Sequence, residues 1–232
     1  MNSYYESIKF VESKLIDYLS NIYKVYGNEL LLKLEDYNLL SHKNNCIETS
    51  TATGFILEEF ITSKLEIYTR GNSGKEEIRI KKITDRSTVK SSYDCFVEYN
   101  NILFLINVKV QKEGAENNAV AAINILHKDY VENNADKVKS YIVLKSHYRY
   151  INSTNDKDKA RKIGVGKIET YALEECDFSN GHKQDHRNWS VNFNSQSGRL
   201  QASNTWRKKH RLADDEISYE LTKKFVDEMM KK

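Results

Sequence analysis

Between Tyr93 and Gln111 the sequence leaves the backbone little choice. Tyr93-Asp94-Cys95-Phe96-Val97-Glu98-Tyr99 and Ile102-Leu103-Phe104-Leu105-Ile106-Asn107-Val108-Lys109-Val110 are apolar, β-branched and aromatic runs separated only by Asn100-Asn101. Such runs read as strands. Asn tolerates the positive φ that a two-residue hairpin turn demands. The segment is therefore predicted as a hairpin in which Tyr99 pairs with Ile102 and Asp94 falls opposite Asn107. Side chains alternate, so Lys109 projects from the same face as Asn107, one pleat further on. Phe96, Leu103 and Leu105 share that face, with Glu98 near the turn. Cys95, Val97, Phe104, Ile106 and Val108 take the other, so both faces are expected to be buried.

An acid, an amide and an ammonium thus converge at the open end of an apolar hairpin. One chemical reading is a divalent metal site. A carboxylate can hold Mg²⁺ by one or two oxygens and leave positions for water and substrate phosphate. A neighbouring lysine can orient an attacking water and stabilise charge on a scissile phosphate. An ordinary hairpin with an Asp–Lys ion pair near its rim accounts for the spacing equally well. A helix expected from Ser50–Thr53 to about Leu65 adds to the first reading. Its stripe of Ile56, Leu57, Phe60 and Ile61 leaves Glu58 or Glu59 against apolar neighbours, where an acid needs a metal, a proton or a cation. A solvated helix flank is the alternative.

The remaining segments fill in a fold class. The first forty residues read as two helices, one capped by Ser3 with Ile8, Val11, Leu15, Ile16 and Leu19 at helical spacing, the other from Asn28 to Leu40. Gly71 to Gly74 is a turn, and Ile78 to Ile83 alternates like a strand. Glu116 to about Asn134 reads as a helix, Tyr141 to Leu144 as a short buried strand, and Ile163 to Leu173 as another. Gly181 to Asn204 is a long polar loop, and Asp214 and Asp215 cap a final helix. The order predicts an α/β (mixed α+β) chain with a central mixed sheet flanked by helices. We read residues 1–232 as one domain, with a helical part at 1–45, a core at 50–175 and a basic segment at 178–212. With no Pro and 9 Gly among 232 residues, collagenous and polyproline structures are excluded. No apolar run approaches membrane-spanning length, and Met1 to Phe10 lacks the layout of a secretory signal. Cys46, Cys95 and Cys176 form no CxxC pair and read as reduced thiols of a cytoplasmic protein, Cys95 as packing.

Gly54 and Glu58 on a helix, then Asp94, then Asn107-Val108-Lys109, resemble the PD-(D/E)XK nuclease superfamily, and within it the small type II restriction endonucleases. The resemblance spans roughly residues 50 to 145. It implies a restriction endonuclease-like core and Mg²⁺-dependent hydrolysis of phosphodiester bonds in double-stranded DNA. It also implies Asp94 as principal metal ligand, Lys109 as catalytic lysine, Asn107 at the second acidic position, Glu58 as the helix-borne acid and the Val108 carbonyl as a further ligand. Symmetric DNA sites are cut by twofold dimers, so a homodimer is expected, with the N-terminal helices as its surface. Two departures stand out. Tyr93 occupies the place of a proline that often precedes the first acid. Asn107 lends a metal an oxygen but no charge. Either Glu58 or Glu98 substitutes for the missing acid, or the chain binds DNA without cutting it, or the residue is an engineered inactivation.

A formal charge of +3 conceals a polarised chain. Residues 178–212 hold seven Lys or Arg against one acid, Asp185, so the rest of the chain is net negative. Arg187, Asn188, Gln196, Arg199 and Gln201 are the expected base or groove contacts, and Arg207, Lys208 and Lys209 the phosphate contacts. Trp189, Phe193 and Trp206 argue against simple disorder; a surface excursion pinned by those rings is the other reading. His127 and His147 read as structural, His182 and His186 lack a zinc pattern, and Gly164-Val165-Gly166 is too short to cradle phosphate. A structure-specific nuclease (a junction resolvase or repair enzyme) and a DNA-binding protein with an impaired catalytic face remain as competing functions.

Overall fold

The computed structural model describes residues 3–32, 49–71, 77–83, 91–115, 118–151, 161–180, 183–184 and 198–231. Its centre is a six-stranded mixed sheet in the order β1-β7-β6-β4-β3-β2. The strands are β1 Glu29–Leu32, β2 Lys81–Lys82, β3 Cys95–Tyr99, β4 Ile102–Lys112, β6 Val138–Ile151 and β7 Arg161–Ala172. A small second sheet joins β5 Ala119–Ala122, β9 Arg199–Gln201 and β8 Lys183–Gln184. Helices α1 Ser3–Val25 and α2 Thr49–Gly71 lie on one side of the main sheet. The other side is covered by α3 Ile123–His127, which runs on into a π-turn at Lys128–Glu132, and by α5 Tyr219–Lys231. A short helix, α4 Asn204–Lys209, precedes α5. Among the described residues no helix is long and apolar enough to cross a membrane.

β3 and β4 form the expected hairpin. Tyr99 pairs with Ile102 and Cys95 with Ile106, and Asn100 and Asn101 have φ of 49° and 60°. β4 then pairs parallel with β6 along its whole length. Its two faces enter two different cores, Phe104, Ile106 and Val108 on the α1/α2 side and Leu103 and Leu105 on the α3/α5 side. A strand covered on both faces reads as a continuous apolar run rather than an alternating one, as β4 does.

Several segments depart from their expected form. Glu29–Leu32 is not helical but an edge strand on β7. Gly27 and Asn28, at φ of 64° and 59°, end α1, and the Asn28 N–H closes on the Tyr23 carbonyl in a helix-stop geometry. Residues 33–40 of that expected helix lie outside the described residues. The expected helix from Glu116 starts only at Ile123, because Ala119–Ala122 is drawn into a strand by β9, a partner some eighty residues away. Strand β2 covers only two of the six residues that alternate between Ile78 and Ile83. β6 is far longer than Tyr141 to Leu144. On α2 the buried stripe is Leu57, Ile61 and Leu65, while Ile56 is turned outward. Asp214 bonds Arg211 instead of capping α5, and Ser218 Oγ accepts the Leu221 N–H at that helix start.

Candidate active site

The site forms where β3 begins and β4 runs on, among the described residues, without a strand neighbour on that side. The Asp94 N–H donates to the Ile106 carbonyl at 2.9 Å, the last backbone link of the hairpin. Two residues further along β4, the Asp94 side chain takes the place of a strand partner, with Oδ2 accepting the Val108 N–H at 2.7 Å. Two residues on, the Val110 N–H faces Glu58 Oε1 of α2 at 3.4 Å. An extended residue points its N–H and C=O to the same side. The Val108 carbonyl therefore opens on the gap bracketed by Asp94 and Glu58.

Burial pushes both carboxyls above their ordinary range, and the Lys109 ammonium opposes the rise in each; the Asp94 charge adds to the rise of Glu58, and the Glu59 charge to that of Asp94. Among the described residues Lys109 makes no direct ion pair and acts on both acids through space. Of the two neighbouring glutamates it is Glu58 that enters the site. Glu59 is exposed, and its pairing with Lys82 holds its carboxyl below the usual range. Glu98 sits at the turn end of the hairpin, paired with Lys137 at 2.5 Å, and so is removed from the site.

Asn107 is buried, and its side chain has a definite orientation. Nδ2 donates to the Val120 carbonyl at 2.6 Å and to the Tyr141 hydroxyl at 2.9 Å. A carbonyl can only accept, so the amide cannot be turned round. The Tyr141 hydroxyl in turn donates to the Ser92 carbonyl, and the Ser92 N–H and Oγ both donate to Asp129 Oδ2, at 2.6 and 2.8 Å. This chain of bonds anchors the residues just ahead of Asp94. Asp129, Ser92 and Tyr141 are positioning residues that the sequence did not announce, since Asp129 acquires its role only from the π-turn that follows α3.

The donor set suits a hard cation. Two partly desolvated carboxylates and an open backbone carbonyl face one gap, and Mg²⁺ is commonly held by one or two carboxylates with water and substrate completing its shell. Among the described residues no group of three or more His, Cys, Asp and Glu is placed to hold a metal. A closed cage of protein ligands is therefore not what these residues form.

The expected DNA contacts divide. Arg199 is exposed on β9, Gln201 is half-buried there, and Lys208 and Lys209 are exposed on α4. Arg207 lies over the Tyr171 ring, 3.5 Å from its centroid. Arg187, Asn188 and Gln196 lie outside the described residues, as do Asp185, Trp189, Phe193, His182 and His186. The sheet that carries Arg199 and Gln201 is tied to the site, because its strand β5 supplies the Val120 carbonyl that holds Asn107. His127 meets Asp227 and Glu132, each at 3.2 Å, and His147 meets Glu169 at 2.8 Å. Cys95 is fully buried in the core. No protein-family model matches the chain, and a search of curated proteins finds no match either.

Proposed function

We propose that this chain is a Mg²⁺-dependent endonuclease of the type II restriction kind, with a restriction endonuclease-like fold, acting on double-stranded DNA in the cytoplasm as a homodimer. The observation that carries the reading is the meeting of Asp94, just ahead of β3, Glu58 of α2 and Lys109 of β4 around the stretch of β4 at Val108–Val110. Asp94, Glu58 and the Val108 carbonyl would hold the cation. Mg²⁺ bound there would polarise the scissile phosphate and lower the pKa of a coordinated water. The Val108 N–H fixes one Asp94 oxygen and leaves the other for the gap. Lys109, held near both acids without closing on either, is free to place its charge on a phosphate oxygen and to orient the attacking water.

A second reading, a DNA-binding protein with an impaired catalytic face, draws support from Asn107. The two donors it uses are ones an aspartate lacks, so the neutral amide belongs to the network that builds the site. Incubating supercoiled plasmid with the full chain, in Mg²⁺ and in EDTA, tests both. Discrete fragments in Mg²⁺ alone, lost in Asp94→Ala and Lys109→Ala, are the expected result. DNA binding without cutting would favour the second reading, and cleavage confined to branched DNA would favour a junction or repair nuclease.

A further inference from the structure

Two strands across the sheet from Lys109, β7 and α4 enclose an open cleft of about 460 Å³. Lys167, Arg207, Lys208 and Arg211 stand in its walls, with Glu169 and Glu175. Both acids are already engaged. Glu169 meets His147 and Lys167, each at 2.8 Å, and Glu175 meets Lys9 at 2.6 Å and Arg211 at 3.5 Å. Among the described residues Arg207 and Lys208 have no acid partner. Tyr171, on which Arg207 rests, also lines the cleft and is buried. Its hydroxyl and the Arg207 Nε are both buried without a hydrogen-bond partner. A buried donor left without a partner is costly, and two beside one basic cleft favour an anionic oxygen there.

The strand registers relate this cleft to the candidate active site. Asn107 pairs with Val143 and Val143 with Tyr171, while Lys109 pairs with Lys145 and Lys145 with Glu169. Paired residues share a face, so Tyr171 stands on the same face as Asn107 and Lys109, about 10 Å away at two strand spacings. A DNA strand rising 3.4 Å per nucleotide covers that span in about three nucleotides.

We propose that the cleft is a phosphodiester subsite, where Arg207, Lys208 and the Tyr171 hydroxyl hold a backbone phosphate of the DNA strand about three nucleotides from the one attacked beside Lys109. The assignment rests on the nuclease reading for its substrate. The test is binding of a labelled DNA duplex to the full chain in Ca²⁺ over a series of salt concentrations, measured by fluorescence anisotropy. Lys208→Gln should make the dependence of log K on log salt shallower by about 1. Arg207→Gln should weaken binding roughly tenfold. Tyr171→Phe removes an unpaired buried hydroxyl, so it should leave thermal stability equal or higher while weakening DNA binding about threefold or more. Wild-type affinity and salt slope in both Lys208→Gln and Tyr171→Phe would overturn the proposal. So would a thermal shift with inorganic phosphate that these substitutions remove while DNA binding stays unchanged, since the cleft would then serve a free anion. Plasmid cleavage in Mg²⁺ reports on the nuclease reading separately. Cleavage with unaltered binding by the variants defeats the cleft alone, whereas impaired binding by the variants of a chain that never cuts supports the cleft and defeats the nuclease reading.

Discussion

Asn107 carries more of this site than its place in a motif suggests. Its two N–H donors hold the Val120 carbonyl and the Tyr141 hydroxyl, so it joins the β5 strand to the bonds that end at Asp129. Asn107→Asp replaces those donors with acceptors and adds a third negative charge near Asp94 and Glu58. Leaving a buried carbonyl without its donor costs about 1–3 kcal/mol, so the variant should unfold at lower urea concentration in EDTA than the parent. Mg²⁺ should return part of that loss, because a cation neutralises the acid it has gained. Unchanged stability in EDTA would show that the amide donors hold nothing. On the nuclease reading, the new carboxylate would strengthen cation binding and so raise cleavage by the fraction that survives folded. That double consequence was not readable from Asp94, Asn107 and Lys109 as letters, because the Val120 partner comes from a strand that only tertiary pairing creates.

The hairpin is the element on which the site depends. Its turn sets the register, and a slip of one residue would send Asp94 and Lys109 to opposite faces. Asn100 and Asn101 both sit at positive φ, where an L-residue pays roughly 1–2 kcal/mol and Asn rather less. Asn101→Val should therefore destabilise the chain by about 1–2 kcal/mol in chemical denaturation, and Asn101→Gly should be neutral or slightly stabilising. Equal stability of the valine variant would contradict the turn. On α2, the four-residue spacing of Leu57, Ile61 and Leu65 anchors the helix, and with it the position of Glu58 beside Val110. The expected stripe included Ile56, yet only the packing of α2 on β4 decides which side of the helix is covered.

At the scale of the whole molecule, burial of acids dominates the response to pH. Desolvation raises Glu12 to about 6 and Glu174 to about 7, and raises Asp94 and Glu58 as well. Glu12 Oε1 is also buried without a hydrogen-bond partner. A carboxyl whose folded pKa lies above its unfolded value binds protons more tightly when folded, so it favours folding most below about 4.5 and loses that benefit as pH rises through its folded value. The pairings that lower Glu59, Glu98 and Asp214 act in the opposite sense, but all three are exposed and count for little. Stability should therefore decline between about pH 5 and 7.5 in EDTA. Glu12→Gln should flatten that decline by on the order of 1–2 kcal/mol, followed by urea unfolding at each pH. A parent more stable at pH 7.5 than at pH 5 would refute it.

The hairpin, its register, the two-faced burial of β4 and the mixed sheet between helices were all legible in the sequence, because each rests on local pattern: apolar runs, an Asn-Asn turn and the strict alternation of a strand. The strand at Glu29–Leu32, the replacement of a helix by β5, the choice of Glu58 over Glu59 and the orientation of the Asn107 amide were decided by tertiary structure alone. Each depends on a partner distant in the chain (β7, β9, Val110 or Val120), and a residue's own neighbours in sequence hold no information about which distant group will meet it.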